Sequence, residues 1–268
     1  MFWPRVHDNR LFAGLLLGLV ALAWAILWLW GQSPYERFLD HGQLADIEIG
    51  FGGEAALFAV AFVAGWTVMT FAMMLPTSLP LLQMFRRMTS TRANAGQLMA
   101  LVVAGYLLAW GAFGVAAHLG DWMLHQLVVE NVGWLDRQAW VIGVGTLALA
   151  GVYQFTPLKY MCLEKCRSPL SFITENWRGG GERIAALRLG LRHGVFCVGC
   201  CWSLMLLMFA LGVGNLGWML ALGAVMAVEK NMPWGRKLSA PLGVGLIVGA
   251  VALTLTVAPD ACAAHIGC

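Results

Sequence analysis

Apolar residues run along this chain in blocks close to the twenty needed to cross a bilayer, separated by short polar connections. The blocks are Leu11–Trp30, Ala55–Leu79, Gln97–His118, Gln138–Thr156, Val195–Val228 and Pro241–Ala258. Arg5 and Arg10 precede the first block as they would a signal peptide. It is nevertheless too long for a signal core and ends in Trp28-Leu29-Trp30-Gly31, not at a small-residue cleavage site, so it reads as an uncleaved helix. The block Val195–Val228 is too long for one crossing and barely enough for two. Gly212-Val213-Gly214-Asn215 interrupts it with a turn signal. Two short spans in a tight helical hairpin fit best, with a re-entrant pair as the rival. The pattern predicts an all-α polytopic bundle of seven transmembrane helices.

Composition agrees. Hydrophobic residues make up 60% of the 268, charged residues 12%, and the mean hydropathy is +0.73. An ordinary soluble domain is about 45–50% apolar and about 25% charged, so a soluble enzyme is excluded. The 13 Trp and 32 Gly suit spanning helices and their interfacial belts. The net charge of +3 acquires meaning only when it is divided along the chain. With the N-terminus inside, segments 1–10, 80–96, 157–194 and 229–240 are cytoplasmic and hold all but two of the 17 Lys and Arg. The external segments keep only Arg37 and Arg137 and carry most of the acidic residues, a positive-inside distribution. The C-terminus then lies outside. The expectation is one integral membrane domain, 1–268, with a cytoplasmic loop at 157–194 and an external tail at 259–268. Its setting would be the lipid bilayer of a bacterial inner (cytoplasmic) membrane, and nothing points to nucleic acid.

Topology sorts the 7 cysteines. Cys162 and Cys166 fall in the loop, and Cys197, Cys200 and Cys201 fall where the fifth helix enters from the same side. Cytoplasmic thiols stay reduced, so this grouping points to metal binding or redox exchange, not structural disulfides. At 100° per residue, His193, Cys197, Cys200, Cys201 and Met208 share an arc of about 100°. Cys162 and Cys166 are four residues apart, so a short helix would present both on one side. Lys159, Lys165 and Arg167 beside them are expected to favour the thiolate. Met73 and Met74 end the second block at the same face, and Pro76 and Pro80 predict a kink there. Thiolate and thioether are soft donors suited to Cu(I), with zinc or another soft metal as alternatives. Glu229 and Lys230 close the sixth helix at this depth. Glu229 is a candidate carboxylate ligand or proton acceptor, with snorkelling of the pair to the headgroups as the plain reading. In the tail, Cys262, His265 and Cys268 suggest either a disulfide between the two cysteines or a secondary external metal site.

The chain has no phosphate-binding loop, no His-Glu-x-x-His and no haem attachment motif, and no charge lies deep within a block. The stretches Met73-Met74-Leu75-Pro76, Pro157-Leu158-Lys159 through Cys162, Cys166-Arg167-Ser168-Pro169 and Gly199-Cys200-Cys201-Trp202 resemble a family of predicted metal-binding integral membrane proteins. Asn215-Leu216-Gly217-Trp218-Met219 and Glu229-Lys230 continue the resemblance, which implies metal binding without naming an activity. Three readings follow. The first is a soft-metal handling membrane protein, not obviously an enzyme. Its cytoplasm-facing site would comprise Cys197, Cys200, Cys201, Cys162, Cys166, Met73 or Met74, His193 and Glu229, served by a metal donor or acceptor protein. The second is a membrane thiol–disulfide oxidoreductase built on Cys197-x-x-Cys200 near a helix start. The third is a non-catalytic scaffold subunit.

Overall fold

The computed structural model describes residues 4–32, 53–124, 140–177, 181–211 and 216–264. Helices α1 (Pro4–Gly31) and α2 (Gly53–Met74) lead through a 3-10 turn (Pro76–Ser78) into α3 (Leu79–Thr89). Then come α4 (Ala95–Leu124), α5 (Trp140–Tyr153), α6 (Pro157–Arg167), α7 (Pro169–Asn176), α8 (Glu182–Leu211) and α9 (Leu216–Asn231). A second 3-10 turn (Gly235–Leu238) precedes α10 (Ser239–Ala264), and no strand occurs among the described residues.

Among the described residues, three helical stretches are long and apolar enough to cross a membrane: Ala95–Gly120, Glu182–Met208 and Gly235–Val257. Two bent pairs raise the number to five if each is one span. Val63–Met74 with Pro76–Thr89 bends by 44°, and Trp140–Tyr153 with Pro157–Arg167 by 66°. The count of seven is therefore not recovered among the described residues. The apolar part of α1 is the shorter stretch Gly14–Leu29, and α9 has only 16 residues. The turn expected at Gly212–Asn215 lies outside the described residues.

The kink expected at Pro76 is present, and its cause is visible. Proline has no N–H to continue the helical ladder. The chain tightens into the 3-10 turn, where Ser78 N–H bonds to the Leu75 carbonyl (3.0 Å), and the Met74 carbonyl left without that donor accepts from Thr77 Oγ1 (2.7 Å) and from the hydroxyl of Tyr106 on α4 (3.2 Å). The second helix thus stops where a partner on α4 fixes its end.

The expected loop 157–194 is helical throughout most of its length, and the thiol-bearing helix begins at Glu182, not at Val195. The apolar block missed this start because Arg183, Arg188 and Arg192 interrupt the hydropathy. These arginines project outward, while Ala185, Ala186, Leu189 and His193 face the core. An amphipathic first half followed by an apolar second half makes one continuous rod.

The central pair is α4 against α8, and glycines set its spacing. A methyl group on Gly190 would strike the backbone of Val102, and one on Gly105 would strike the carbonyl of Leu187. One on Gly194 would lie 2.6 Å from Ala109 Cβ. Small residues at such a crossing let the helix backbones touch, as in tightly packed membrane bundles. Trp66 of α2 covers Gly114 of α4 and donates to the carbonyl of Trp110 at 2.9 Å, adding a third helix. Outward rows of apolar side chains remain uncovered, including Leu15, Leu19 and Leu22 on α1 and Val244, Val248 and Leu255 on α10.

Candidate metal centre

The thiols converge because α8 turns its inner face toward three other elements at once. Cys197, Cys200 and Cys201 are each 1% exposed, so no water competes for their sulfurs. Positions 197 and 201 lie about one turn apart and face the break between α2 and α3, whereas 200 is rotated toward α6. On the first side, Cys201 Sγ stands 3.8 Å from Met74 Sδ. On the second, Cys200 Sγ stands 4.0 Å from Cys166 Sγ. Two sulfurs sharing one ion through bonds of about 2.3 Å lie roughly 3.8–4.6 Å apart, from the tetrahedral to the linear angle. Both separations fall in that range. Among the described residues, however, no group of three or more His, Cys, Asp or Glu side chains stands ready to hold an ion without movement.

Cys162 and Cys166 lie on one short helix, α6, as their four-residue spacing predicted. Thr156 caps this helix by accepting from the Lys159 backbone N–H (3.3 Å), and Pro157 fills its first turn. Cys162 is buried and Cys166 half-buried. Cys162 Sγ rests over Gly199 of α8, 2.6 Å from where a Cβ would sit, and the hydroxyl of Tyr153 donates to the Gly199 carbonyl. Gly199→Ala is accordingly expected to push α6 off α8 and cost about 1–3 kcal/mol, read as a lower midpoint of thermal unfolding. An unchanged midpoint would contradict this contact.

Of the two methionines, Met74 points at the sulfurs, while Met73 packs against Gly223 of α9 (Cε at 3.7 Å from a Cβ built there). His193 bonds through Nε2 to Ser78 Oγ (3.1 Å), stacks on Tyr106 and meets Phe172 edge-on; its Nδ1 has no partner among the described residues. Glu229 is 2% exposed and directed away from the thiols. Its carboxylate accepts from Lys159 Nζ (2.8 and 3.0 Å) and from Ser239 Oγ (2.7 Å), and Lys159 also donates to Gln154. His265 and Cys268, together with the side chain of Cys262, lie outside the described residues.

Two expectations are corrected. The cations flanking the α6 cysteines do not serve them. Lys159 goes to Glu229, Lys165 pairs with Glu175 (2.8 Å), and Arg167 donates to the backbone carbonyls of Glu229 and Pro233. Nor do Glu229 and Lys230 snorkel, since both are buried. Successive residues at a helix end differ by about 100°, which sends them into separate networks. Glu229 faces α6 and α10; Lys230 faces the sulfurs.

Lys230 is the residue that sequence reasoning undervalued. Its Nζ lies 2.9 Å from Cys197 Sγ, 3.7 Å from Cys201 Sγ, 3.9 Å from Met74 Sδ and 3.3 Å from Thr77 Oγ1. Three sulfurs and one hydroxyl thus surround a buried ammonium. Tyr106 completes the shell, its hydroxyl 3.0 Å from Cys197 Sγ. The only hint in the sequence was a lysine at the end of an apolar helix, where snorkelling is the default.

The donors are uniformly soft and dry, and the nearby carboxylate is already committed to a lysine. Such a set suits a monovalent soft ion and offers little to a hard divalent one. The family model PpoB2, described as a copper chaperone, matches residues 63–253 of the chain, which include every thiol and thioether of this centre. No curated protein and no solved structure matches the chain.

Proposed function

This chain belongs to the PpoB2 copper chaperone family, and from that premise we propose that it binds Cu(I) as cargo at the Cys197, Cys201 and Met74 sulfurs and passes it on through Cys200 and Cys162 to Cys166. The observation that carries the reading is the convergence of buried sulfurs from α2 and α8 around one point. Thiolate plus thioether in a water-free pocket stabilises the reduced ion, and few ligands leave it exchangeable. The route outward is a sulfur step of 4.0 Å, from buried Cys200 to half-buried Cys166. Transfer along it is ligand exchange, each new sulfur–copper bond forming as the preceding one breaks.

The chain is integral to the bilayer, with seven spans, the N-terminus inside and the centre at the cytoplasmic face, probed there by a donor or acceptor protein. Exposed apolar rows on α1 and α10 and the basic cytoplasmic segments support this placement. The oxidoreductase alternative is weakened. Cys197 and Cys200 sit midway along α8, far from the helix N-terminus whose dipole would activate a redox thiol.

Protein purified under reductant is expected to retain Cu(I) against a competing chelator. Replacing Cys197, Cys200 and Cys201 together by serine should abolish retention. Within the same assay, Met74→Ala weakens binding about tenfold or more while Met73→Ala does not, since only Met74 reaches the sulfurs. Full retention in the triple variant would sink the proposal.

A further inference from the structure

The ammonium of Lys230 occupies the place among the sulfurs that an ion would take. It touches Cys197 Sγ at 2.9 Å, Cys201 Sγ at 3.7 Å and Met74 Sδ at 3.9 Å, three donors from two helices, while belonging to a third. The neighbouring carboxylate of Glu229 has its own lysine, Lys159, so among the described residues Lys230 has no carboxylate partner in this network. Its other polar neighbour is the neutral hydroxyl of Thr77 at 3.3 Å, so the groups that face this buried cation are chiefly sulfurs.

We propose that Lys230 is a built-in placeholder for Cu(I): it holds the empty pocket together and leaves it when the metal enters. The inference rests on the copper reading above and adds the exchange by which the site loads and empties. Cys197 Sγ accepts from Lys230 Nζ at 2.9 Å, the role of a thiolate, and a dry pocket with one thiolate tolerates one positive charge. With none, the thiolate is stranded; with two, like charges repel at close range with little solvent to screen them. Loading is therefore a one-for-one swap. The hydrogen bond from Lys230 Nζ to Cys197 Sγ breaks, sulfur–copper bonds to Cys197 and Met74 form, and the ammonium swings out still protonated. Copper arrives and departs as Cu(I), no electron moves, and the pocket's net charge is unchanged. Cys201, whose Sγ donates to the Cys197 carbonyl at 2.9 Å, turns a lone pair to the ion without losing its proton.

The way out is short. Asn231, Met232, Pro233 and Trp234 follow Lys230 directly and are all exposed. A rotation of the last turn of α9 carries the ammonium to that surface. Release to an acceptor is the reverse: the returning ammonium displaces the ion, so the apo pocket itself drives unloading.

The test is amine footprinting of the wild-type protein, apo and loaded with Cu(I) under reductant, using an acylating reagent and reading each lysine by mass spectrometry. In the apo protein Lys230 and Lys159 are both protected by burial. On loading, acylation of Lys230 is expected to rise about tenfold or more, as a minor open state becomes the dominant one, while Lys159 stays protected. Copper retention by Cys197→Ala is measured alongside. If copper binds through Cys197 and Lys230 stays protected, the exchange is overturned and the copper site survives. If copper retention is indifferent to Cys197→Ala, the site reading itself fails, and the exchange with it. A rise at Lys159 equal to that at Lys230 also overturns the proposal, because it marks general loosening.

Discussion

Glu229→Leu is expected to destabilise the protein by about 3–5 kcal/mol, although Glu229 touches no sulfur. The reason lies in what the substitution leaves behind. Lys159 is wholly buried, and its ammonium is satisfied by both oxygens of Glu229 and by Gln154. Removing the carboxylate strands a positive charge with one neutral partner and leaves Ser239 without its acceptor. Lys159→Met should cost a similar amount by stranding the carboxylate. The double variant Lys159→Met with Glu229→Leu should recover most of the loss, because two apolar groups replace two charges that each needed the other. Thermal unfolding of the four proteins in detergent gives the coupling energy. Strictly additive losses would show that the two charges are not partners.

Gly190→Ala should be about as damaging, near 3 kcal/mol or more, through a different mechanism. The added methyl meets the backbone of Val102, including its Cα at 2.9 Å, and backbone cannot rotate away as a side chain can. The α4–α8 crossing would have to open, and every thiol on the inner face of α8 would shift with it. Gly245→Ala in α10 is the matched control. Nothing lies within 4 Å of its would-be Cβ, so it should be neutral or stabilising by up to about 1 kcal/mol. Equal unfolding midpoints for the two variants would refute the close crossing.

What the sequence disclosed and what it hid divide along a physical line. Patterns of short range were legible. The i, i+3 and i+4 spacing of Cys197, Cys200 and Cys201 placed them along one helix, and the four-residue interval of Cys162 and Cys166 anticipated the short helix α6. Pro76 announced its own kink. The start of α8 was not legible from hydropathy, which registers charge and not hydrogen bonding; three outward arginines masked an unbroken helix. The Lys159–Glu229 bond joins residues 70 apart, and no local pattern reports such a partner. Lys230 escaped for a related reason. A lysine at a helix end carries the same local signature whether it faces headgroups or thiols.

The opposed directions of Glu229 and Lys230 have a consequence for genetics. Because these neighbours share the last turn of α9, a strain in the ion pair is felt at the sulfurs without any ligand being altered. A screen for loss of copper handling would then collect Lys159, Glu229 and Ser239 beside the cysteines. Second-site suppressors would separate the two classes. Losses at Glu229 should be rescued by changes at Lys159, whereas losses at Cys197 should have no suppressor in that network.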